Sequence, residues 1–240
     1  MIQMLKTLSL PTKIALSAAA VGLVGCLAFA VSPARSALSY TSDDYVAEIQ
    51  QAHIAAALIE KTGTEDSWRE VEAAGEMLPA KALIGEDEAL AYGREYPEAI
   101  AVRNVSVDQG EYVRLTLRKY WAVDNAKTGA LDPSFINLVY DADSSGDWVL
   151  SEQESNNERL VFYYKHLLRP GEDTATPAIT AISVDESIAA VASEYQGAWL
   201  GLSAQVDSVQ ENNAPAAAKS AWGIDVVQFA DKGLNWSNGN

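Results

Sequence analysis

The 240-residue sequence predicts an α+β fold: a mostly helical single domain with one β-hairpin and one helix–loop–helix motif, behind an N-terminal apolar helix. Three observations predict it. Apolar residues recur at steps of three and four over 184–210, as on one face of a long helix. Val113, Leu115 and Leu117 alternate with Arg114, Thr116 and Arg118, as in a half-buried strand. An acidic, glycine-containing stretch at 141–152 lies between two segments that each open with a helix-starting signal.

The elements follow in order. Residues 1–13 carry Lys6 and Lys13, residues 14–31 carry no charge, and SPARSA then brings Pro33 and Arg35. A basic start, an apolar middle and a small-residue end make 1–37 an export signal or membrane anchor. As an uncleaved anchor the run is near the lower limit of ~17 residues for a bilayer span. Cleavage near Ala34–Ala37 would instead release a secreted protein. LVGC, Leu23 to Cys26, resembles the lipobox of bacterial lipoproteins. That resemblance implies lipidation at Cys26, although the LAFAV that follows is more apolar than a usual tether. All three fates place 38–240 outside the cytoplasm as one globular domain, either membrane-anchored and facing the periplasm or cell exterior, or secreted.

TSDDYVAEIQQAHIAAALIEKTG, from Thr41, reads as the first helix, with Thr41 or Ser42 as cap, acids in the first turn and Gly63 at its end. SWREVEAAGEML opens with Ser67 and Glu70 at capping-box spacing. IAVRNVSV and EYVRLTLRKYWAV are strands, and DQG at 108–110 reads as the turn that pairs them in a hairpin. Arg114, Arg118 and Lys119 form the densest basic cluster of the body, able to dock an anionic group. Ser183 and Glu186 repeat the capping-box spacing ahead of the long apolar stripe. ENNAPAAAKSAWG ends that helix and starts a short alanine-rich one.

The acidic stretch resembles the calcium loop of EF-hand proteins. In that family, positions 1, 3, 5 and 12 of the loop give side-chain oxygens, position 7 a backbone carbonyl, and position 6 is glycine at the sharp turn. The resemblance implies Asp141, Asp143, Ser145, Asp147 and Glu152 as ligands, with Gly146 at the turn. Calcium needs six to eight oxygens at ~2.3–2.6 Å, which a tight loop can converge on one point. DPSFINLVY, capped by Asp132 with Pro133 in the first turn, would be the entering helix. SEQESNNERLVFYYKHLLRPG would be the exiting helix, with Ser151 and Glu154 at capping-box spacing. Ser145 replaces the usual acid, Trp148 is bulky at position 8, and no second loop accompanies the first. Together these imply weak binding, with Kd ~10⁻⁴–10⁻³ M.

Other chemistry is narrowed by composition. Lys and Arg total 17 and Asp and Glu 33, a net charge of −16. Such a body is repelled by phosphate backbones, which argues against nucleic-acid binding. The single cysteine, Cys26, lies in the apolar run, so the body has no disulfide, no thiolate nucleophile and no cysteine zinc site. Two histidines, His53 and His166, do not make a multi-histidine centre. No GxSxG, HExxH, CxxCH or phosphate-cradling glycine loop occurs. Asn104-Val-Ser106 and Asn235-Trp-Ser237 match the N-glycosylation pattern. The sequence therefore points to an exported calcium-binding interaction module. It contacts the membrane through its N-terminus, and a protein partner or a second copy through the 184–210 helix. A structural subunit of a surface assembly and a secreted carboxylate-dependent hydrolase are the alternatives.

Overall fold

A computed structural model describes residues 40–41, 54–62, 67–71, 90–124, 126–141, 146–228 and 231–236. The expected signal or anchor, 1–37, lies outside the described residues. In chain order the elements are β1 (Tyr40–Thr41), β2 (Ala56–Thr62), β3 (Arg69–Glu70), β4 (Glu95–Asn104), β5 (Glu111–Val123) and β6 (Ala126–Thr128). A 3₁₀ turn (Pro133–Phe135) leads into β7 (Ile136–Val139), followed by β8 (Trp148–Leu150), β9 (Arg159–Tyr164) and β10 (Ile179–Val184). A 3₁₀ run (Glu186–Tyr195) precedes β11 (Trp199–Gln210), helix α1 (Ala214–Trp222), β12 (Val226–Gln228) and β13 (Leu234–Trp236). The fold is mostly β, which overturns the mostly helical α+β expectation.

Two antiparallel sheets make a sandwich. One has the order β1-β11-β5-β9-β8, with β6 paired to the end of β5, and the other β3-β2-β4-β10-β7. Strand periodicity explains the shared core. Val113, Leu115 and Leu117 of β5 point the same way as Leu160 and Phe162 of β9 and Leu202 and Val206 of β11. They meet Leu58, Ile100, Val102, Ile179 and Ile182 from the facing sheet, nearly all of them fully buried. Each such side chain contributes about 1.5–3 kcal/mol on leaving water.

The outer face of the first sheet is covered too. Tyr112, Val161, Tyr163 and Val209 pack against Ala214, Ala218 and Trp222 of α1 and Val226 and Leu234 of the β12–β13 hairpin. Arg114 ties this layer down: it bonds Asp207 at 2.7 Å and lies 5.7 Å from the Trp222 ring centroid. β5 and β9 are therefore buried on both faces. That is why LVFYY reads as an unbroken apolar run rather than an alternation.

The helical expectations fail for identifiable reasons. The first expected helix ends in strand β2, where Ala56, Leu58 and Glu60 face inward; its residues 42–53 lie outside the described set. In the second, Arg69–Glu70 is the edge strand β3. Asp132 does cap a turn, accepting from the Ser134 amide at 2.8 Å, but that turn spans three residues and runs directly into β7. The expected exiting helix is a series of turns followed by β9. The long helix over 184–210 is the 3₁₀ run capped by Asp185, a turn at Gly197 (φ +77°) and then β11. Positive φ at Gly197 breaks any helix there, and Leu202 and Val206 fit a period of two as well as a helical stripe, whereas Val209 faces the other side of β11. The 184–210 stretch is therefore not one helix. The expected hairpin is also corrected. β4 and β5 are both strands, but they belong to opposite sheets, and residues 105–110 cross between them. The short helix after Asn213 forms as expected, closed by Gly223.

Gly201 sits opposite Tyr120 in the β11–β5 ladder. The Tyr120 ring lies over it where a Cβ would overlap the ring. Gly201→Val is expected to destabilise the protein by about 1–3 kcal/mol through this overpacking, read as a lower urea midpoint with unchanged slope.

Candidate functional site

The acidic stretch lies in sequence between β7, at the edge of one sheet, and β8, at the edge of the other. Asp141 is exposed, and Asp143 and Ser145 lie outside the described residues. Asp141, Gly146 and Asp147 line a cleft of about 280 Å³ with Trp148, Thr176, Pro177, Ala178 and Thr180. Trp148 is its buried floor. The indole N–H donates to the Thr176 carbonyl at 2.9 Å, and the ring lies 5.0 Å from that of Tyr164.

Asp147 is the organised acid. One oxygen lies 2.9 Å from Nε2 of His166, and the other accepts from the Thr176 hydroxyl at 2.9 Å. Lys165 closes the loop from below. Its amide donates to the Asp147 carbonyl at 2.9 Å and its ammonium to the Gly146 carbonyl. That ammonium places a positive charge beside the loop and opposes a bound cation.

Glu152 does not line the cleft. β8 lies between it and Asp147, and an extended strand of three residues spans ~10 Å, about twice the rise of a helix of the same length. The structure therefore brings Asp141 and Asp147 together and sets Glu152 beyond a strand, without the helix–loop–helix frame. Among the described residues, no three His, Cys, Asp or Glu side chains converge as a metal-holding group. His166, Thr176 and Lys165 were not singled out as part of this loop by the sequence. Their approach depends on β9 and the 165–178 segment folding back along β8, a long-range pairing with no local signal.

The basic cluster is divided by the strand period. Arg114 and Arg118 face outward, Arg114 already paired with Asp207 and Glu154. Lys119 turns into the sandwich, 8% exposed, with its ammonium on the Ile136 carbonyl; burial lowers its pKa, and Asp132 opposes that shift. No single anion can engage all three. Asn104 of the first glycosylation pattern is fully buried, and its side chain is committed to bonds within the loop 105–110 and to Leu168. Asn235 is exposed on β13.

Comparison of the chain with protein-family models, with curated proteins and with solved structures finds no match. Among the described residues, no helix is long and apolar enough to cross a membrane.

Proposed function

We propose that this chain is an extracytoplasmic β-sandwich module that acts by binding, exported or anchored by residues 1–37, with the β7–β8 loop as a weak calcium site. The supporting observation is the convergence of Asp141 and Asp147 on one cleft at the side of the sandwich. Asp141 and Asp147 offer hard oxygen donors at the cleft, and Asp143 and Ser145, outside the described residues, are proposed as further donors from their place in the sequence. Glu152 leaves the ligand set because it does not reach the cleft. The nearby Lys165 ammonium keeps affinity low, in the ~10⁻⁴–10⁻³ M range of extracellular sites. Calcium bound there would clamp the edge of one sheet to the edge of the other and hold the cleft open to a ligand with Trp148 at its floor.

The test is thermal unfolding with calcium against chelator. At about 10 mM calcium the native state should gain about 1.4–2.7 kcal/mol by mass action. Asp147→Asn should abolish that gain, and Glu152→Gln should leave it intact. A melting curve indifferent to calcium and chelator would refute the site.

A further inference from the structure

The sandwich carries a carboxyl where an apolar group would be expected. Glu111, the first residue of β5, is on the same face as Val113, Leu115 and Leu117, so its side chain enters the space between the sheets. It is 0% exposed, and neither of its carboxyl oxygens makes a hydrogen bond of normal geometry. The Ser208 hydroxyl is buried and unbonded in the same way. Ser208 is diagonal to Glu111 across the β5–β11 ladder, where Gln210 faces Glu111 and Ser208 faces Val113. On its other side Ser208 pairs with Tyr40 of β1. The Ala55 amide, at the head of β2 in the opposite sheet, also lies beside the Glu111 carboxyl. One acid thus sits where β1, β11, β5 and β2 meet.

Among the described residues, no counter-charge reaches it. On β5 and β11 the nearest charges, Arg114 and Asp207, face outward and are paired with each other. Glu211 is held by Lys232. Arg103 of β4 is paired with Asp173, and the Arg169 amide is bonded to the Glu172 carboxylate. β1 offers only Tyr40 and Thr41, and Asp108 of the crossing loop is exposed. Glu60 is five residues further along β2 and is bonded to Arg69. Burial is accordingly the largest influence on the Glu111 carboxyl, raising its pKa from 4.5 to about 7 against smaller opposing effects of Ser208 and the Ala55 amide.

We propose that Glu111 is a proton-operated latch on this end of the sandwich. Protonated, the neutral carboxyl bridges Ser208 of β11 and the head of β2 and keeps the two sheets closed where the N-terminal part of the chain joins them. Deprotonated, it carries a buried charge that the Ser208 hydroxyl and the Ala55 amide offset only in part, and the end opens to let water reach it. The latch is independent of the calcium reading, since it lies on different strands.

Hydrogen exchange of the full-length protein, corrected for the intrinsic pH dependence of exchange, tests this. Between about pH 5.5 and pH 8, amides of 54–58 and 206–210 should lose about 20- to 30-fold in protection, and at both pH values they should be less protected than the β9–β10 core, which exchanges only when the whole domain unfolds. In Glu111→Gln the two segments should be equally protected at both pH values. Equal protection at both pH values in the unmodified protein would overturn the latch without recourse to any variant. So would protection of these two segments equal to that of the β9–β10 core at pH 8, or the same loss in a Glu111→Gln protein that melts like the unmodified one at pH 5.5.

Discussion

Replacing Asn104 by alanine is expected to destabilise the protein by about 3–5 kcal/mol, among the largest effects of any single side chain. Asn104 is fully buried at the end of β4. Its amide nitrogen donates to the Gln109 carbonyl at 2.8 Å and the Leu168 carbonyl at 2.9 Å. Its oxygen accepts from the Ser106 amide at 2.8 Å and the Ser106 hydroxyl at 2.6 Å. The loop 105–110 must carry the chain from one sheet to the other, and in doing so it strands backbone groups away from any ladder. Asn104 satisfies them from a single side chain. Alanine would leave those donors and acceptors buried and unpaired. Aspartate would lose the donors and add a charge, so it should be at least as damaging. Chemical denaturation measures both. A cost under ~1 kcal/mol for Asn104→Ala would show that water reaches the loop and substitutes for the amide. The same geometry predicts no glycan on Asn104 of the folded chain, whatever the expression host.

The second large effect is a dependence of stability on pH. The Glu111 carboxyl is raised from 4.5 to about 7. At pH values below 4.5, folded and unfolded chains both hold the proton, and the stabilisation is complete. As pH rises through the interval to about 7, the unfolded chain ionises and the folded one does not, so stability falls. Above that the folded carboxyl ionises as well and the loss levels off. The whole loss is on the order of 3 kcal/mol, and the part between about pH 5.5 and pH 8 is about 2 kcal/mol. For a body of this size that corresponds to a fall of ~4–8 °C in Tm. The exposed carboxyl of Asp132, lowered by its bond from the Ser134 amide, gives its contribution above its ordinary range and lost only in acid. It is constant across this window. Glu111→Gln should therefore flatten the profile and be the more stable protein at pH 8. A parallel decline in both proteins would place the titrating group elsewhere.

Several features of this fold are visible in the sequence, and they share a property: they are local. The strand at Val113–Leu117 alternates because its outward residues Arg114 and Arg118 reach salt bridges or solvent. The cap at Asp132 and the helix ending at Gly223 depend only on neighbours. What is hidden depends on long-range partners. β2 is built from AALIEKT, a good helix-forming composition, and becomes a strand because β4 offers seven consecutive partners from Asn104 to Glu98. β9 loses its alternation because α1 covers its second face. β11 shows apolar residues at 202, 206 and 209, spacings that fit a helix as well as a strand. Gly197 and Gly201 were the available warning. The acidic loop was legible as a turn, but its flanks were not. Asp132 and Ser151 start turns that end within a few residues, and capping signals do not encode how long a helix continues.

The ladder between β5 and β11 joins residues 111–122 to residues 199–210, and β1 at the start of the described chain closes on Asp207 and Ser208. Both pairings wait for β11, which follows β5 only after β6 to β10. A ribosome delivers this chain from its N-terminus, so β5, β9 and β8 emerge with one long flank unpaired until β11 is out. Nucleation must then be slow, set by loop closure between β5 and β11 across all the intervening strands. During that interval the bare flank of β5 invites pairing with other nascent copies. Yield should therefore depend more on the rate of delivery and on holdase supply than on the final stability of the native state.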